Sequence, residues 1–480
     1  MSLRRTIKKL LKENADLREE NARLREENAQ LRALVKSLMQ RVADLEEKLG
    51  QNSSNTSKPP SSDPPQAPKK RGKKPSGRKP GGQPGHAGAQ RALIPVDQAD
   101  HVQDIKPTHC GRCNRRLAGE DPHPRRHQHL ELPQVKPQVY ETRLHTLTCV
   151  CGCATAAELP PGIPPGMCGP RLQAVMAMCT GVYRLSKRTT LELLGDLLGV
   201  ELSLGALDHH EKIVSAALQE PYEEAHQALQ AQGQANVDET GWREARKKAW
   251  LWVATTAWVT VFMIHKSRGT VAARKLLAAF AGYLVTDRWS GYSFWPLNLR
   301  QICWAHLKRD FTWLAERGGK MGEIGEALLA EFDKLFGYWH RVRDGTLARS
   351  SFRIYLGPIR RRIESLLETG AVCPDAKARG KCKKILTLQA AMWTFARVEG
   401  IEPTNNRAET AIRPAVLWRK GSYGTHSEDG SRFVERIMTV NATLRQHHRD
   451  VLAYLTEVCQ AKLLGQPATR LLPVAKRMVA

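Results

Sequence analysis

The sequence predicts a multidomain α/β chain: an N-terminal coiled coil, a small cysteine-held module, a helical region, and a mixed-sheet core with a helical insertion. Three observations predict it. Leucine recurs every seventh residue from Leu3 to Leu45. Five of the eleven cysteines fall between Cys110 and Cys153. From residue 233 onward, runs rich in β-branched and aromatic residues alternate with helical patterns, and a long amphipathic stretch follows them.

The chain has 480 residues, enough for more than one core. Its 74 Lys and Arg exceed its 48 Asp and Glu, leaving a net charge of +26. Such an excess calls for a polyanionic partner, with nucleic acid first. No apolar run reaches the roughly eighteen residues of a spanning helix, and the polar start from Leu3 lacks a signal-peptide core. No membrane partner is expected, and the expected location is the cytoplasm. There, cysteines serve as metal ligands or core residues in preference to disulfides.

The heptad leucines are Leu3, Leu10, Leu17, Leu24, Leu31, Leu38 and Leu45. Four positions after each stand Ile7, Asn14, Asn21, Asn28, Val35, Val42 and Leu49. Leu at d with Asn at a favours a parallel two-stranded coil. Residues 1–50 therefore read as a leucine zipper that makes a homodimer or higher assembly; a lone helix would leave the stripe wet. Residues 51–97 read as a disordered basic linker, opening with QNSSNTSKPPSSDPP. From Lys58 to Arg91 it holds nine basic residues and one acid, Asp63. Lys69, Lys70, Arg71, Lys73 and Lys74 are expected along phosphates, with salt-sensitive affinity.

Residues 98–165 read as a zinc-ribbon-like module. Cys110-x-x-Cys113 is one knuckle, and Cys149 and Cys151 of CVCGC return to it, with Cys153 also possible. His109, His127 and His145 are substitutes. Four thiolates would hold a structural Zn²⁺ with no open position. Residues 166–232 read as a helical, helix-turn-helix-like DNA-binding region. It breaks at Gly199–Val200 and restarts behind Ser203, placing Ser203 to Val214 in the major groove. An ordinary helical hairpin fits the same pattern.

Residues 233–425 hold a strand (QANVDET), a hairpin (KAWLWVATT and WVTVFMIH), a helix, a strand and turn (YLVTDRWSGY), and QICWAHLKRDF. A helical insertion spans about 307–397, and helices fill 426–480. The order suits a ribonuclease-H-like core. Acids on such strands and helix starts hold Mg²⁺ or Mn²⁺ as a pair for phosphoryl transfer, and Asp238, Asp287 and Glu409 stand at those places. Glu239 rivals Asp238, because strand neighbours face opposite ways. Glu409 falls in a short helix that Thr404 or Asn405 caps and Pro414 ends or kinks. Arg243, Arg288, Arg413, Arg419 and Lys420 suit phosphate. His306 reads as a contact to DNA, a group that orients water, or a structural histidine.

The zipper, QNSSNTSKPPSSD, GRKPGGQPGHAG, the cysteine module, VDETGWR, VTDRWSGY, CWAHLKRDF, and NNRAETAIRP followed by WRKGSYGT occur in one order along most of the chain. Together they resemble transposases of insertion sequence family sixty-six. The resemblance implies a DDE site of Asp238, Asp287 and Glu409 in a ribonuclease-H-like domain, with a helical insertion before the last acid. It implies cleavage and strand transfer at an element's terminal inverted repeats, nucleoid association through DNA, and small accessory proteins as partners. A catalytically silent DNA-binding regulator and a metal-dependent nuclease without strand transfer are the alternatives.

Overall fold

The computed structural model describes residues 2–56 and 91–473, with residues 63, 81, 85, 86 and 88 between them. Lys69, Lys70, Arg71, Lys73 and Lys74 lie outside the described residues. The chain forms two compact units, residues 1–67, 142–192 and 201–480 in one, and 68–141 with 193–200 in the other.

The larger unit opens with α1 (Ser2–Leu49), a single helix of 48 residues, about 72 Å at 1.5 Å per residue. Its leucines from Leu3 to Leu49 are exposed. Asn21 and Asn28 donate to the carbonyls of Leu17 and Leu24 at 3.0 and 2.9 Å.

The start of the expected disordered linker is ordered. Asn52, Ser53 and Asn55 are buried. Asn52 N–H donates to Asn55 Oδ1, and Asn55 Nδ2 donates to Gly50 O and to Glu316 Oε2, at 2.6 Å for the last. Beside it, Lys377 reaches Asp44 and Glu47, and Arg317 reaches Glu47. Polar composition predicts no apolar core here, but short Asn and Ser side chains bond their own backbone and build a turn without one. The ion pairs are partly exposed and worth little; the Asn55 bonds matter more. Asn55→Ala is expected to cost about 1–3 kcal/mol locally, read as faster proteolysis between Gly50 and Thr56. Unchanged protection would contradict the docked turn.

Next come the hairpin β1 (Thr146–Thr148) and β2 (Ala154–Ala156), then α2 (Pro170–Ala177), the first part of α3 (Lys187–Leu198), whose end belongs to the smaller unit, α4 (Leu204–Ala217) and α5 (Gln219–Gln230). Gly199 ends α3 with φ +63°, and Ser203 Oγ caps α4 by accepting from Ala206 N at 3.1 Å. The buried side of α4 packs against α2 and the last two helices of the chain. Its acids Asp208 and Glu211 bind Lys187.

The core sheet comprises β3 (Gln234–Glu244), β4 (Lys247–Thr255), β5 (Thr260–His265), β6 (Tyr283–Thr286) and β7 (Arg300–Ile302), with α6 (Thr270–Leu277) before β6. The order is β5-β4-β3-β6-β7. β4 runs antiparallel to β3 and β5, while β3, β6 and β7 are mutually parallel. The helical insertion is α7 (Trp304–Ala315), α8 (Gly319–Arg343), α9 (Arg349–Gly370), α10 (Ala376–Leu386), α11 (Gln389–Met392) and α12 (Thr394–Arg397). It has its own core, with Trp304, Phe332, Trp339, Trp393 and Phe395 at its centre. At Gly325 a Cβ would lie 2.1 Å from Ala315 N, so only glycine lets α8 approach α7 this closely.

α13 (Asn406–Ser422) is longer than expected: it continues through Pro414 to a left-handed end at Tyr423, φ 62°. α14 (Glu428–Gln446) and α15 (Val451–Leu463) follow. α14 covers the edge of β5. Thr443 Oγ1, Thr439 Oγ1 and a Glu435 carboxylate oxygen accept from the N–H groups of Thr260, Phe262 and Ile264. Residues four apart on the helix thus meet residues two apart on the strand, and an edge that would otherwise stay unpaired is closed.

Burial pushes the Glu435 carboxyl up to about 7. Between its ordinary value of 4.5 and about 7, the folded chain holds a proton that the unfolded chain releases, so stability is lost as pH rises through that window. Glu435→Gln keeps an acceptor for Ile264 and has no such titration. The wild type is expected to lose stability relative to Glu435→Gln, on the order of 3 kcal/mol between about pH 5 and pH 8. Parallel thermal melts across that range would contradict it.

In the smaller unit, the described residues form a 3-10 turn at Val96–Gln98 and a bridge between His109 and Arg116. Cys110 N–H donates to Arg115 O, and Asn114 N–H to Cys110 O, closing a tight loop over Cys110–Asn114.

Candidate active site

β3 and β6 pair in parallel with Asn236 opposite Val285. Two residues beyond that pair stand Asp238 on β3 and Asp287 just past β6, near enough for the charge of Asp287 to act on Asp238. Asn236 donates to Asn405 Oδ1 at 2.9 Å, and Asn405 Nδ2 donates to Val237 O at 2.8 Å. Asn405 stands at the N-cap position of α13, yet its side chain makes no cap; it pins the helix start to β3. Glu409, in the first turn of α13, is thereby brought to Asp238. The electrostatics agree. Burial first, then the charges of Glu239, Asp287 and Glu409, push the Asp238 carboxyl well above its ordinary value.

Glu239 points the other way and is fully engaged. Its side chain is 1% exposed and binds Arg268 Nη2 at 3.0 Å. Tyr292 donates to its second oxygen at 2.6 Å. Arg268 lies between the rings of Trp250 and Trp289. Strand alternation separates two acids that the sequence left as rivals.

Asp287 follows the last residue of β6, and its Oδ1 accepts from Trp289 N at 2.8 Å. The loop hangs on Arg300, buried on β7. Arg300 donates to Thr286 Oγ1 and to the carbonyls of Asp287, Tyr292 and Trp289. Burial pulls its pKa below the usual arginine value, and the four bonds hold the charge in place. Arg288 is directed away from solvent to Asp310 at 2.6 Å; Lys381 binds the other oxygen of Asp310 at 2.8 Å.

His306, in the first turn of α7, faces Glu409 with Nδ1 to Oε1 at 3.9 Å. Both atoms are buried without a hydrogen-bond partner. Cys303, just before α7, accepts from Asn405 N at 3.2 Å. Unpaired buried oxygens and crowded carboxylates fit a cation, and the all-oxygen set Asp238, Asp287 and Glu409 suits Mg²⁺ or Mn²⁺.

Of the other basic residues, Arg413 and Lys420 are exposed on α13. Arg419 donates to Gly241 O at 3.0 Å. Arg243 donates to Arg246 O, and its own carbonyl accepts from Thr425 N. Gly424, φ +132°, lies against that carbonyl, where a Cβ would approach to 2.1 Å.

The N–H groups of Arg112 and Cys113 and the Cys113 thiol face Cys110 and pull its thiol down. The N–H and thiol of Cys151 do the same for Cys149. Cys153 turns toward Ala154 O. Thiols eased toward thiolate by backbone N–H groups fit a zinc ion.

Asn236, Asn405, Arg268, Tyr292 and Arg300 were not expected from the sequence as site residues. NNRAET, which holds Asn405, was visible, but its cross-sheet bond was not.

A family model described as Transposase IS66 family matches residues 165–432, more than half of the chain, and spans all three acids. A second, described as a family of unknown function, DUF6444, matches residues 9–92. No curated protein matches the chain.

Proposed function

Since the chain belongs to the IS66 transposase family, we propose that Asp238, Asp287 and Glu409 form its DDE site, cutting the terminal inverted repeats of an insertion sequence and joining them to target DNA. The observation that carries this reading is the convergence of the three acids from β3, the end of β6 and the start of α13, with Asp238 strained by its neighbours' charge. The sheet order, with only β4 reversed, supports a ribonuclease-H-like core.

Two Mg²⁺ or Mn²⁺ ions, held by these acids, would acidify the attacking oxygen and stabilise the leaving one. The chain's own part is placement. Asn405 fixes Glu409 against β3, and Arg300 fixes the loop of Asp287. Water, then the freed 3′ hydroxyl, attacks phosphorus in line, and no covalent intermediate with the protein is needed. Arg413, Lys420 and the basic residues Lys69, Lys70, Arg71, Lys73 and Lys74 bind phosphates. Cys110 with Cys113, and Cys149 with Cys151, are ligands for structural Zn²⁺. The exposed leucine stripe of α1 pairs with a second copy. The element's accessory proteins are further partners, and the protein acts on DNA in the cytoplasm. No described helix is long and apolar enough to cross a membrane.

The test is incubation of the full chain with its own element ends, a target duplex and Mg²⁺, plus any accessory proteins the element encodes. Cut ends and joined products are expected. DNA binding without either product would favour a silent regulator, and cut ends alone a nuclease.

A further inference from the structure

We infer that Cys303, His306 and Glu409 form a transition-metal site that shares Glu409 with the proposed DDE triad. One ligand atom from each lies within 4.8 Å of the other two. Cys303 precedes α7 and His306 lies in its first turn, with His306 N–H bonded to Cys303 O at 3.2 Å. This three-residue spacing sets thiol and imidazole on one side of the helix start. Asn405 N–H bonds Cys303 Sγ, so the start of α13 and the start of α7 are joined at this point.

Two of the donors are nearly at ligand spacing. Tetrahedral ligands with arms of about 2.0–2.3 Å sit roughly 3.3–3.8 Å apart; His306 Nδ1 and Glu409 Oε1 are 3.9 Å apart. Both atoms are buried and lack a hydrogen-bond partner among the described residues. The chemistry is also unlike that of the triad. Sulfur, nitrogen and oxygen together select Zn²⁺ or Co²⁺, whereas Mg²⁺ takes oxygen. Three protein ligands leave a fourth position open.

Zinc held here takes Glu409 from the triad, so Zn²⁺ slows Mg²⁺-supported cleavage. Only this consequence rests on the DDE reading; the binding does not.

The experiment counts zinc on the full chain by equilibrium dialysis and records the absorption of the Co²⁺-loaded protein. Wild type is compared with Cys303→Ser, His306→Ala and, as a control, Cys382→Ser, a buried thiol on α10. Wild type and Cys382→Ser are expected to bind one equivalent more than the other two, and Cys303→Ser to lose part of the thiolate-to-cobalt band. Equal counts and spectra in all four would overturn the site. Anomalous scattering from wild-type crystals grown with Zn²⁺ needs no variant: a peak between the three side chains is expected, and none at saturating zinc overturns the inference. The count can fail while the triad stands, and Asp238→Asn can retain cleavage while the zinc site stands.

Discussion

Asp238→Asn is expected to stop DNA cleavage by roughly a thousandfold or more, about 4 kcal/mol of barrier, while DNA binding persists. The same variant is expected to melt at a higher temperature near neutral pH. The sign follows from the direction of the shift. Burial and the neighbouring charges raise the Asp238 carboxyl, so the folded chain keeps a proton that the unfolded chain gives up. Stability is therefore lost as pH rises above the ordinary carboxylate range, and the amide escapes that loss. Gain of stability with loss of activity is the expected signature of a residue kept for chemistry. Glu239→Gln should differ in its activity. It weakens the bonds to Arg268 and Tyr292 but leaves cleavage within about tenfold, about 1.4 kcal/mol of barrier. Cleavage assays of the two variants decide between the acids; wild-type cleavage by Asp238→Asn would remove it from the site.

Arg300→Met is expected to have the largest effect on stability. Methionine fills much of the same volume but leaves Thr286 Oγ1 and the carbonyls of Asp287, Tyr292 and Trp289 without their donor. Arg300 is 1% exposed, so water cannot readily replace it. Leaving buried acceptors unpaired costs about 1–3 kcal/mol each. The loop carrying Asp287 then loosens, and cleavage falls with it. Chemical denaturation and cleavage rate should fall together. Full stability with full activity would show that the loop is held by other contacts.

The long N-terminal helix, the strand–hairpin–helix–strand order and the helices after β7 were legible because each is a local period or a run of one residue class. The three acids were legible as positions only. Choosing between Asp238 and Glu239 required the strand's orientation, which adjacent residues in a sequence do not reveal. The turn at Asn52–Asn55 was misread as disorder because its stability comes from amide bonds and a contact to Glu316, 261 residues away. The continuation of α13 through Pro414 reflects packing of Ile412 and Ala415 against the sheet, which outweighs the local cost of proline. Arg300 is silent in the sequence, and Asn405 reads there only as a cap, for the same reason: their partners are set by tertiary structure.

The central claim is that Asp238, Asp287 and Glu409 hold metal ions at one place. Iron-directed cleavage of the polypeptide tests it most directly: Fe²⁺ is bound in place of Mg²⁺, peroxide and ascorbate are added, and the backbone cuts are mapped. Cuts near residues 238, 287 and 409 are expected together, suppressed by excess Mg²⁺ and lost in Asp238→Asn. Cuts absent from 238 and 287, or unchanged by Mg²⁺ and by that substitution, would contradict it.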